Sequence, residues 1–432
     1  MDSAVLQRIE KLRIQNSSAQ LALIGRLLYE GDEKTLWEAD TRLLPLSARI
    51  WRRRARDFAR QHIRPLAAEA DLDPHHFDGA PLIRKATECG FQSLLVHPKA
   101  TLMAAAIAEE FAAEDGGLAL LILAHNLGVA PLFLSGHMPT WTRHFLPLYA
   151  GLARGKPLTM AFAITEPGAG SDVQETEGGA EARLCTAARK VKGGYLLNGT
   201  KVFISDGAIA DWVTVFARLE NEGLESWTCF LVKKGMPGFS VGRRERKMGQ
   251  RAADAAELIF EDVFVPDDHL VGTVRGGWPI NRNVLNYSRP VIGAMALGHA
   301  RGAFERALAF CRCTRIGQRR LIDMQEYRIE LADMAISLWS VRSLVWHACK
   351  RMVANQSLSA AAKVCGSDLA YKVCGQAMEI MGDHGYLHSE GVERAWRDSR
   401  LTQIYEGTNE INRLAVIEQQ WRCEIDCTGN GR

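Results

Sequence analysis

The chain has 432 residues, of which 47% are apolar and 24% are charged, and 53 Lys and Arg stand against 50 Asp and Glu. This composition excludes disordered, collagen-like and coiled-coil proteins, and at about 150 residues per domain the length indicates two or three domains. The basic residues are spread along the chain, which argues against a nucleic-acid partner.

The sequence also lacks the usual signals for membranes, export and metal. No uninterrupted apolar run approaches the ~18 residues of a membrane span, and the N-terminus has neither a signal-peptide nor a transit-peptide pattern. The ten cysteines contain no C-x-x-C pair, so neither a zinc site nor a redox disulfide is indicated. We therefore expect a cytoplasmic protein without a membrane span and without a bound metal.

The N-terminal third has a helical period. Apolar residues recur on one face in residues 1–46, which predicts a leader of amphipathic helices. Two interpretations of this leader stay open: extra helices packed on the next domain, or a docking element for a partner subunit. Residues 47–157 continue the period with glycine breaks and predict an N-terminal helical domain.

The pattern changes between residues 158 and 275, where short β-rich runs are separated by Gly, Asn and Asp. These runs have no helices between them, which favours an antiparallel sheet or barrel over βαβ units. The helical period returns in residues 276–432 and predicts a C-terminal helical domain. The predicted fold class is therefore multidomain α+β, in the order helical, β, helical.

Residues Thr165–Asp172 read T-E-P-G-A-G-S-D and follow an apolar strand. A loop with glycines, small hydroxyls and backbone N–H groups can approach a planar ring or a phosphate closely, because glycine has no Cβ. The third glycine and the following helix of the dinucleotide-binding fingerprint are missing. Taken alone, the loop is more typical of a Pro-Gly turn between two strands.

Residues Arg397–Glu410 place Glu406 between a tyrosine and a glycine, just before an amphipathic helix. Gly407 and Thr408 have the residue types of a turn and a helix N-cap. A carboxylate held there against apolar groups has its ionised form disfavoured and can act as a base near neutral pH. The alternative is a surface carboxylate in a capping turn.

Together the two segments resemble the acyl-CoA dehydrogenase family, and the resemblance extends from about Ser47 to Ile417. Further matching segments occur in the family's order: Asn198–Ser205, Gly249–Pro266, Leu331–Met334 and Gln376–Tyr386. The resemblance implies an N-terminal helical domain, a middle antiparallel β-domain and a C-terminal four-helix bundle. It also implies a homotetramer with non-covalent FAD, an acyl-CoA substrate and electron-transferring flavoprotein as electron acceptor.

The same resemblance assigns roles to residues. Glu406 would remove the α-proton of the thioester while the β-hydrogen leaves as hydride to flavin N5, and the Glu406 N–H would bind the thioester oxygen. The implied cofactor-binding residues are Phe162, Ile164, Thr165, Gly170, Ser171, Phe203, Ser205, Arg315, Glu379, Gly382, Thr408 and Glu410. The implied substrate-binding residues are Ser171, Asn286, Arg289 and Gly407. The same site could serve an enoyl-CoA reductase or an acyl-CoA oxidase, or the chain could be a flavin-poor binding subunit.

Three departures from the family pattern stand out. The R-x-x-F-G segment that reaches the FAD of a neighbouring subunit falls on Thr314–Gln318, so its Arg is replaced by Thr314. Arg315, one position later, is expected on a helix, rotated by about 100°. Asp383 replaces a glycine near the cofactor. The P-E-x-x-G-G loop beside the substrate entrance is absent after Leu94–Pro98, so acyl-chain preference is not inherited from any subfamily.

Overall fold

The computed structural model describes residues 35–174 and 182–428. The predicted leader helices before residue 35 lie outside the described residues. The chain divides into two compact units, residues 1–53 and 54–432. In the described part of the first unit, Thr35 caps helix α1 by accepting a hydrogen bond from the Glu38 N–H at 3.2 Å, as expected for a threonine N-cap.

The helices before the sheet follow the predicted periodicity. Those described are α1 (Leu36–Leu43), α2 (Leu46–Phe58), α3 (Ala67–Leu72), α4 (Ala80–Glu88), α5 (Ala100–Ala112), α6 (Gly116–Leu134), α7 (Met138–Thr140) and α8 (Leu146–Ala153). Asp115 caps α6 through the Leu118 N–H at 2.8 Å. α5 begins two residues after Pro98, which agrees with the missing loop noted in the sequence.

Helix α6 is long and apolar enough to cross a membrane by composition, and it is the one such helix in the described part of the chain. In this fold, 72% of the 18-residue apolar stretch of that helix is buried inside the protein. It packs against β1, and Gly128 lies so close that an added Cβ would be 2.6 Å from the Met160 carbonyl carbon. Burial of this kind is typical of a core helix.

A mixed sheet of eight strands follows. The strands are β1 (Met160–Ala163), β2 (Ala187–Val191), β3 (Gly194–Ser205), β4 (Trp212–Leu219), β5 (Thr228–Lys233), β6 (Phe239–Arg244), β7 (Ala255–Pro266) and β8 (Leu270–Val271). Their order is β6-β7-β3-β2-β4-β5-β8, with β1 paired to β4. Most pairs are antiparallel, but β1 and β2 both run parallel to β4. The expectation of a purely antiparallel sheet was therefore incomplete: β2 and β3 form an antiparallel hairpin, but β1 and β2 also pair with β4, to which neither is joined by a hairpin.

Four long helices form the C-terminal bundle. They are α9 (Gly277–Cys313), α10 (Gln325–Ala348), α11 (Gln356–Met381) and α13 (Asn409–Thr428), with the shorter α12 (Val392–Leu401) before α13. α9 and α11 approach at two glycines: a Cβ on Gly366 would be 2.6 Å from the Gly293 carbonyl oxygen. Such backbone contact requires glycine. It also brings the neighbouring side chains of α9 and α11 close to one another.

Between α9 and α10 the chain forms a small hairpin, β9 (Arg315–Ile316) and β10 (Arg319–Arg320). α9 ends at Cys313, because Thr314 adopts an extended conformation with ψ 140°. The expectation that Arg315 lies on a helix is therefore wrong. Its side chain is exposed on the hairpin, where Nη1 donates to the Gln318 carbonyl at 2.8 Å.

Candidate active site

Glu406 lies in the turn between α12 and α13. Its φ is 58°, and the following Gly407 has φ 84°, so two consecutive residues are in the left-handed region. For a residue other than glycine this conformation costs about 1–2 kcal/mol. A strained turn of this kind persists only where surrounding groups fix it.

Three side chains fix the turn by donating to its carbonyl groups. Arg289 Nε on α9 donates to the Glu406 carbonyl at 3.2 Å, and Lys363 Nζ on α11 donates to the Gly407 carbonyl at 2.8 Å. Asn412 Nδ2 on α13 donates to the carbonyls of Gly407 at 2.8 Å and Thr408 at 2.9 Å. The carbonyls of this turn are therefore bound by three helices of the bundle.

The Glu406 carboxylate is half-buried and has one short hydrogen bond. Ser288 Oγ on α9 donates to Glu406 Oε2 at 2.6 Å. Burial raises the pKa of Glu406 above its ordinary value, against the opposing effects of the Ser288 hydroxyl and the positive charges of Arg289 and Lys363. A carboxyl group whose pKa is raised in this way is suited to accept a proton near neutral pH.

The turn meets the Thr165–Asp172 loop directly. The Thr408 N–H donates to Ser171 Oγ at 3.1 Å, which joins residues 237 positions apart. Thr408 also acts as an N-cap, because its Oγ1 accepts from the Ile411 N–H at 3.3 Å. The two segments that the sequence singled out are thus parts of one site.

A buried ion pair anchors the loop to the sheet. Lys201 Nζ and Glu166 Oε1 are 2.8 Å apart, and both side chains are fully buried. Lys201 also donates to the Ile164 carbonyl at 2.9 Å, and Glu166 Oε2 accepts from the Thr186 N–H at 3.0 Å. The loop is therefore held between β1, β2 and β3 by paired charges, which is the condition under which charges are tolerated in a protein interior.

Phe203 provides an exposed aromatic face on β3. Its side chain is 61% exposed and its φ is 58°, within a bulge where the register with β7 shifts. The neighbouring Val202 N–H donates to the Thr165 carbonyl at 2.9 Å, so the bulge adjoins the loop. An exposed aromatic beside a glycine-containing loop fits a planar ring system.

Family models match most of the chain. Residues 47–151 match the acyl-CoA dehydrogenase N-terminal domain, residues 161–263 the middle domain and residues 275–420 the C-terminal domain. The chain belongs to the acyl-CoA dehydrogenase family. The predicted fold class and the prediction of an oxidoreductase of this family are therefore confirmed.

Individual relatives and solved structures are similar to this chain over most of its length. An acyl-CoA dehydrogenase of Bacillus subtilis (strain 168) is 35% identical over 389 residues, which cover 85% of this chain and 96% of the relative. Butyryl-CoA dehydrogenase from Megasphaera elsdenii has a solved structure that is 29% identical, with a TM-score of 0.80, covering 88% of this chain and 99% of that chain. A chain of the structure described as the electron transferring flavoprotein of Acidaminococcus fermentans is 31% identical, with a TM-score of 0.80 and coverage of 88% and 99%.

The acyl-CoA dehydrogenase family implies FAD, and the residues around the loop fit it. Thr165, Gly170 and Ser171 are only half-buried, as is Ser205 at the end of β3. Phe162 and Ile164 differ from these, because their side chains pack in the hydrophobic core, with the Phe162 ring 5.3 Å from that of Phe216. Both side chains are therefore part of the core beneath the loop.

Two other implied residues, Asn286 for the substrate and Glu410 for the cofactor, differ in their surroundings. Asn286 is buried on α9, and its Oδ1 has no hydrogen-bond partner within the described residues. Glu410 is exposed on the first turn of α13 and has a lowered pKa, caused first by its own backbone N–H and then by the Thr408 hydroxyl. Asn286 lies one turn from Arg289 on α9 and is therefore near the site, whereas Glu410 faces solvent.

Arg315, Glu379 and Gly382 lie away from Glu406 in the same chain. Glu379 and Gly382 are exposed at the end of α11, sixteen and nineteen residues beyond Lys363. Sixteen helical residues span about 24 Å. Phe310, near the end of α9, packs on His384 with ring centroids 5.2 Å apart, so the hairpin and the end of α11 share one region. These predicted cofactor residues form a second group rather than part of the Glu406 cluster.

Three residues around Glu406 were missed in the sequence analysis: Ser288, Lys363 and Asn412. The signal for Lys363 was a lysine among small and apolar residues, in the run Ala360–Gly366. Asn412 lies three residues after Asn409 and three before Ala415, on the buried face of α13. Ser288 precedes the motif residue Arg289, and nothing in its own type marks it.

One cluster has the residue types of a metal site. One ligand atom each from Asp71, His388 and Glu393 lies within 4.8 Å of the other two. Arg397 accounts for this arrangement, because its guanidinium donates to Asp71 Oδ2 at 2.7 Å and to Glu393 Oε2 at 2.6 Å. The cluster is an ion-pair network centred on an arginine.

Proposed function

We propose that this chain oxidises an acyl-CoA thioester to the 2,3-enoyl-CoA, with Glu406 as the base that removes the α-proton. The observation that carries the proposal is the hydrogen bond from the Thr408 N–H to Ser171 Oγ, which sets the base beside the loop that suits a flavin. FAD, when bound, supplies the acceptor for the β-hydrogen.

The protein groups have distinct tasks in this proposal. The raised pKa of Glu406, caused by burial, allows its carboxylate to take the α-proton near neutral pH. Arg289 binds the Glu406 carbonyl, and Lys363 and Asn412 bind the Gly407 carbonyl, so the residues that follow the Glu406 N–H are held in place. That N–H is the proposed donor to the thioester oxygen, where negative charge develops on deprotonation.

The residues around Glu406 and the Thr165–Asp172 loop also supply the proposed contacts of the substrate and the cofactor. Asn286 and Arg289 on α9, with Gly407 and Ser171, are the proposed contacts of the acyl-CoA. The proposed cofactor contacts include the half-buried Thr165, Gly170, Ser171 and Ser205 and the exposed aromatic face of Phe203. Asn286 Oδ1 lacks a hydrogen-bond partner among the described residues and is buried, so an N–H group of the substrate would satisfy it.

Electrons then leave to a partner, and we propose electron-transferring flavoprotein as that partner. The supporting observation is the 31% identity to a chain of the structure described as an electron transferring flavoprotein of Acidaminococcus fermentans. We also propose a cytoplasmic homotetramer and domain boundaries after residues 46, 157 and 275.

Anaerobic mixing of the flavin-loaded protein with a panel of acyl-CoA thioesters tests the function, with bleaching of the flavin absorbance as the measurement. At least one thioester should bleach the flavin, and Glu406→Gln should slow bleaching at least ~10²-fold while flavin and ligand binding are kept. Glu330→Gln, on the exposed face of α10, is the matched control and should bleach at the normal rate. Undiminished bleaching by Glu406→Gln would remove Glu406 as the base, and no bleaching by any thioester would overturn the function.

A further inference from the structure

We propose that Lys363 is a positioning residue, which holds the Glu406 turn in its left-handed conformation and acts on the carboxylate through its charge. This inference rests on the proposed function of Glu406. Lys363 is on α11, its side chain is 0% exposed, and its ammonium group touches the turn rather than the carboxylate itself.

The contacts of Lys363 form a junction between α11 and the turn. Nζ donates to the Gly407 carbonyl at 2.8 Å and to Asn409 Oδ1 at 2.7 Å. The Asn409 amide nitrogen in turn donates to Ser367 Oγ at 2.9 Å and to Asp368 Oδ1 at 2.7 Å. Both ends of the short segment after Glu406 are therefore tied to α11.

The other two donors to the turn, Arg289 and Asn412, belong to different helices. Arg289 binds the Glu406 carbonyl from α9, and Asn412 belongs to α13, which directly follows the turn in the chain. Lys363 is thus the described side chain that fixes the Gly407 carbonyl to a separate helix. Because Gly407 imposes little conformational preference of its own, the direction of this peptide depends on an external donor.

A buried lysine is an unusual donor to a backbone carbonyl, because a neutral donor would avoid the desolvation of a charge. The charged groups that act on it are Arg289 from α9, Asp368 on α11 itself, Glu406 from the turn and Glu410 from α13. Burial, reinforced by Arg289, lowers the pKa of Lys363 to about 7, and the three acids oppose this shift. Its charge also opposes the raised pKa of Glu406.

The two effects predict a specific outcome for three variants. Lys363→Met removes the donor and the charge, Lys363→Gln removes the charge alone, and Lys363→Arg keeps both. In Lys363→Met we expect kcat for flavin reduction to fall about 10- to 100-fold, since a displacement near 1 Å at a reacting group has this scale. KM should change much less, because Gly407 is the one proposed acyl-CoA contact in the turn, whereas Asn286 and Arg289 lie on α9 and Ser171 lies in the Thr165–Asp172 loop.

The pH profile separates positioning from general stability. Loss of the positive charge removes a stabilising influence on the Glu406 carboxylate, so the acid limb of kcat should move to higher pH by about one unit in Lys363→Met and Lys363→Gln. Lys363→Arg should return the limb toward the wild-type position. Lys372→Met, an exposed lysine on the same helix, is the matched control. A Lys363→Met profile that coincides with the Lys372→Met profile would overturn the proposal.

A measurement without turnover keeps the inference separate from the proposed function. Hydrogen exchange of the amides of residues 406–409 should be at least ~10-fold faster in Lys363→Met than in Lys372→Met, even if no thioester is oxidised by either. If Lys363→Met does not fold, the exchange is measured in Lys363→Ala, which also removes the donor. Unchanged exchange would show that the turn does not depend on Lys363, whatever the outcome for Glu406.

Discussion

The Ser288 hydroxyl donates to Glu406 Oε2 at 2.6 Å and lowers the pKa that burial raises. Ser288→Ala removes this donor, so we expect the pKa of Glu406 to rise by about one unit, the scale of a hydrogen bond to a charged group. A base with a higher pKa is protonated over a wider pH range. Flavin reduction should therefore be slower at pH 6 and unchanged on the alkaline plateau.

Rapid mixing over a pH series measures this change. Ser343→Ala is the control, because Ser343 is exposed on α10 and its hydroxyl donates to the backbone of the same helix, at the Trp339 carbonyl. An acid limb in Ser288→Ala that matches the control would mean that the Ser288 hydroxyl does not set the pKa of the base.

How far the sequence predicts the site differs from residue to residue. Glu406 and Ser171 stand in segments with unusual turn chemistry, and this local signal sufficed to select them. Ser288 and Lys363 have no local signal, because their importance comes from helix contacts more than 40 residues along the chain from Glu406. Periodicity places such residues on a buried face but does not say which helix they meet.

At the level of elements, the close approach of α9 and α11 sets the site. Gly366 lies one turn after Lys363, and Gly293 lies one turn after Arg289. A Cβ on Gly366 would be 2.6 Å from the Gly293 carbonyl oxygen, whereas a Cβ on Gly375 would only meet Trp396 at 3.7 Å. The first contact is backbone and cannot rotate away, so α9 and α11 would have to separate.

Gly366→Ala should therefore lower the free energy of unfolding by about 1–3 kcal/mol, the usual cost of overpacking. It should also slow flavin reduction, because the donors to the Glu406 turn lie one helical turn away on both helices. Gly375→Ala on the same helix should be neutral or slightly stabilising, since alanine has the better helix propensity by about 1 kcal/mol. Denaturant unfolding and rapid mixing of both variants measure these effects, and equal results for the two would contradict this account of the crossing.

Among the strands, the strength of the apolar signal in the sequence differs from one strand to the next. β3 and β7 have apolar alternation over twelve residues each. β2 contains Arg189 and Lys190 and has little apolar pattern, so only its pairing with β3 and β4 makes it a strand. The hairpin of β9 and β10 has exposed residues alone, and in it Arg315 was mistaken for a helical residue.

For the whole molecule, the predicted cofactor residues fall into two separate groups within one chain. Lys363, which binds the Glu406 turn, and Glu379, in the group with Arg315 and Gly382, lie about 24 Å apart along α11. One cofactor contacting both groups of the same chain would have to extend over that distance. Two copies of the chain, each supplying one group, would place both around one cofactor, which supports the proposed homo-oligomer.

Two variants with defects in different groups test this sharing. Glu406→Gln should bind flavin without reducing it, and Arg315→Glu should lose flavin, because a carboxylate would then face a phosphate. If each site uses Glu406 of one chain and Arg315 of another, mixed oligomers contain some sites with both native residues. Coexpression of the two variants should therefore restore flavin reduction to a measurable fraction of the wild-type rate.

The double variant Glu406→Gln/Arg315→Glu coexpressed with Glu406→Gln is the control and should stay inactive, since no native Glu406 is present. Coexpressed single variants that bind flavin yet show only the control rate would indicate that each chain completes its own site.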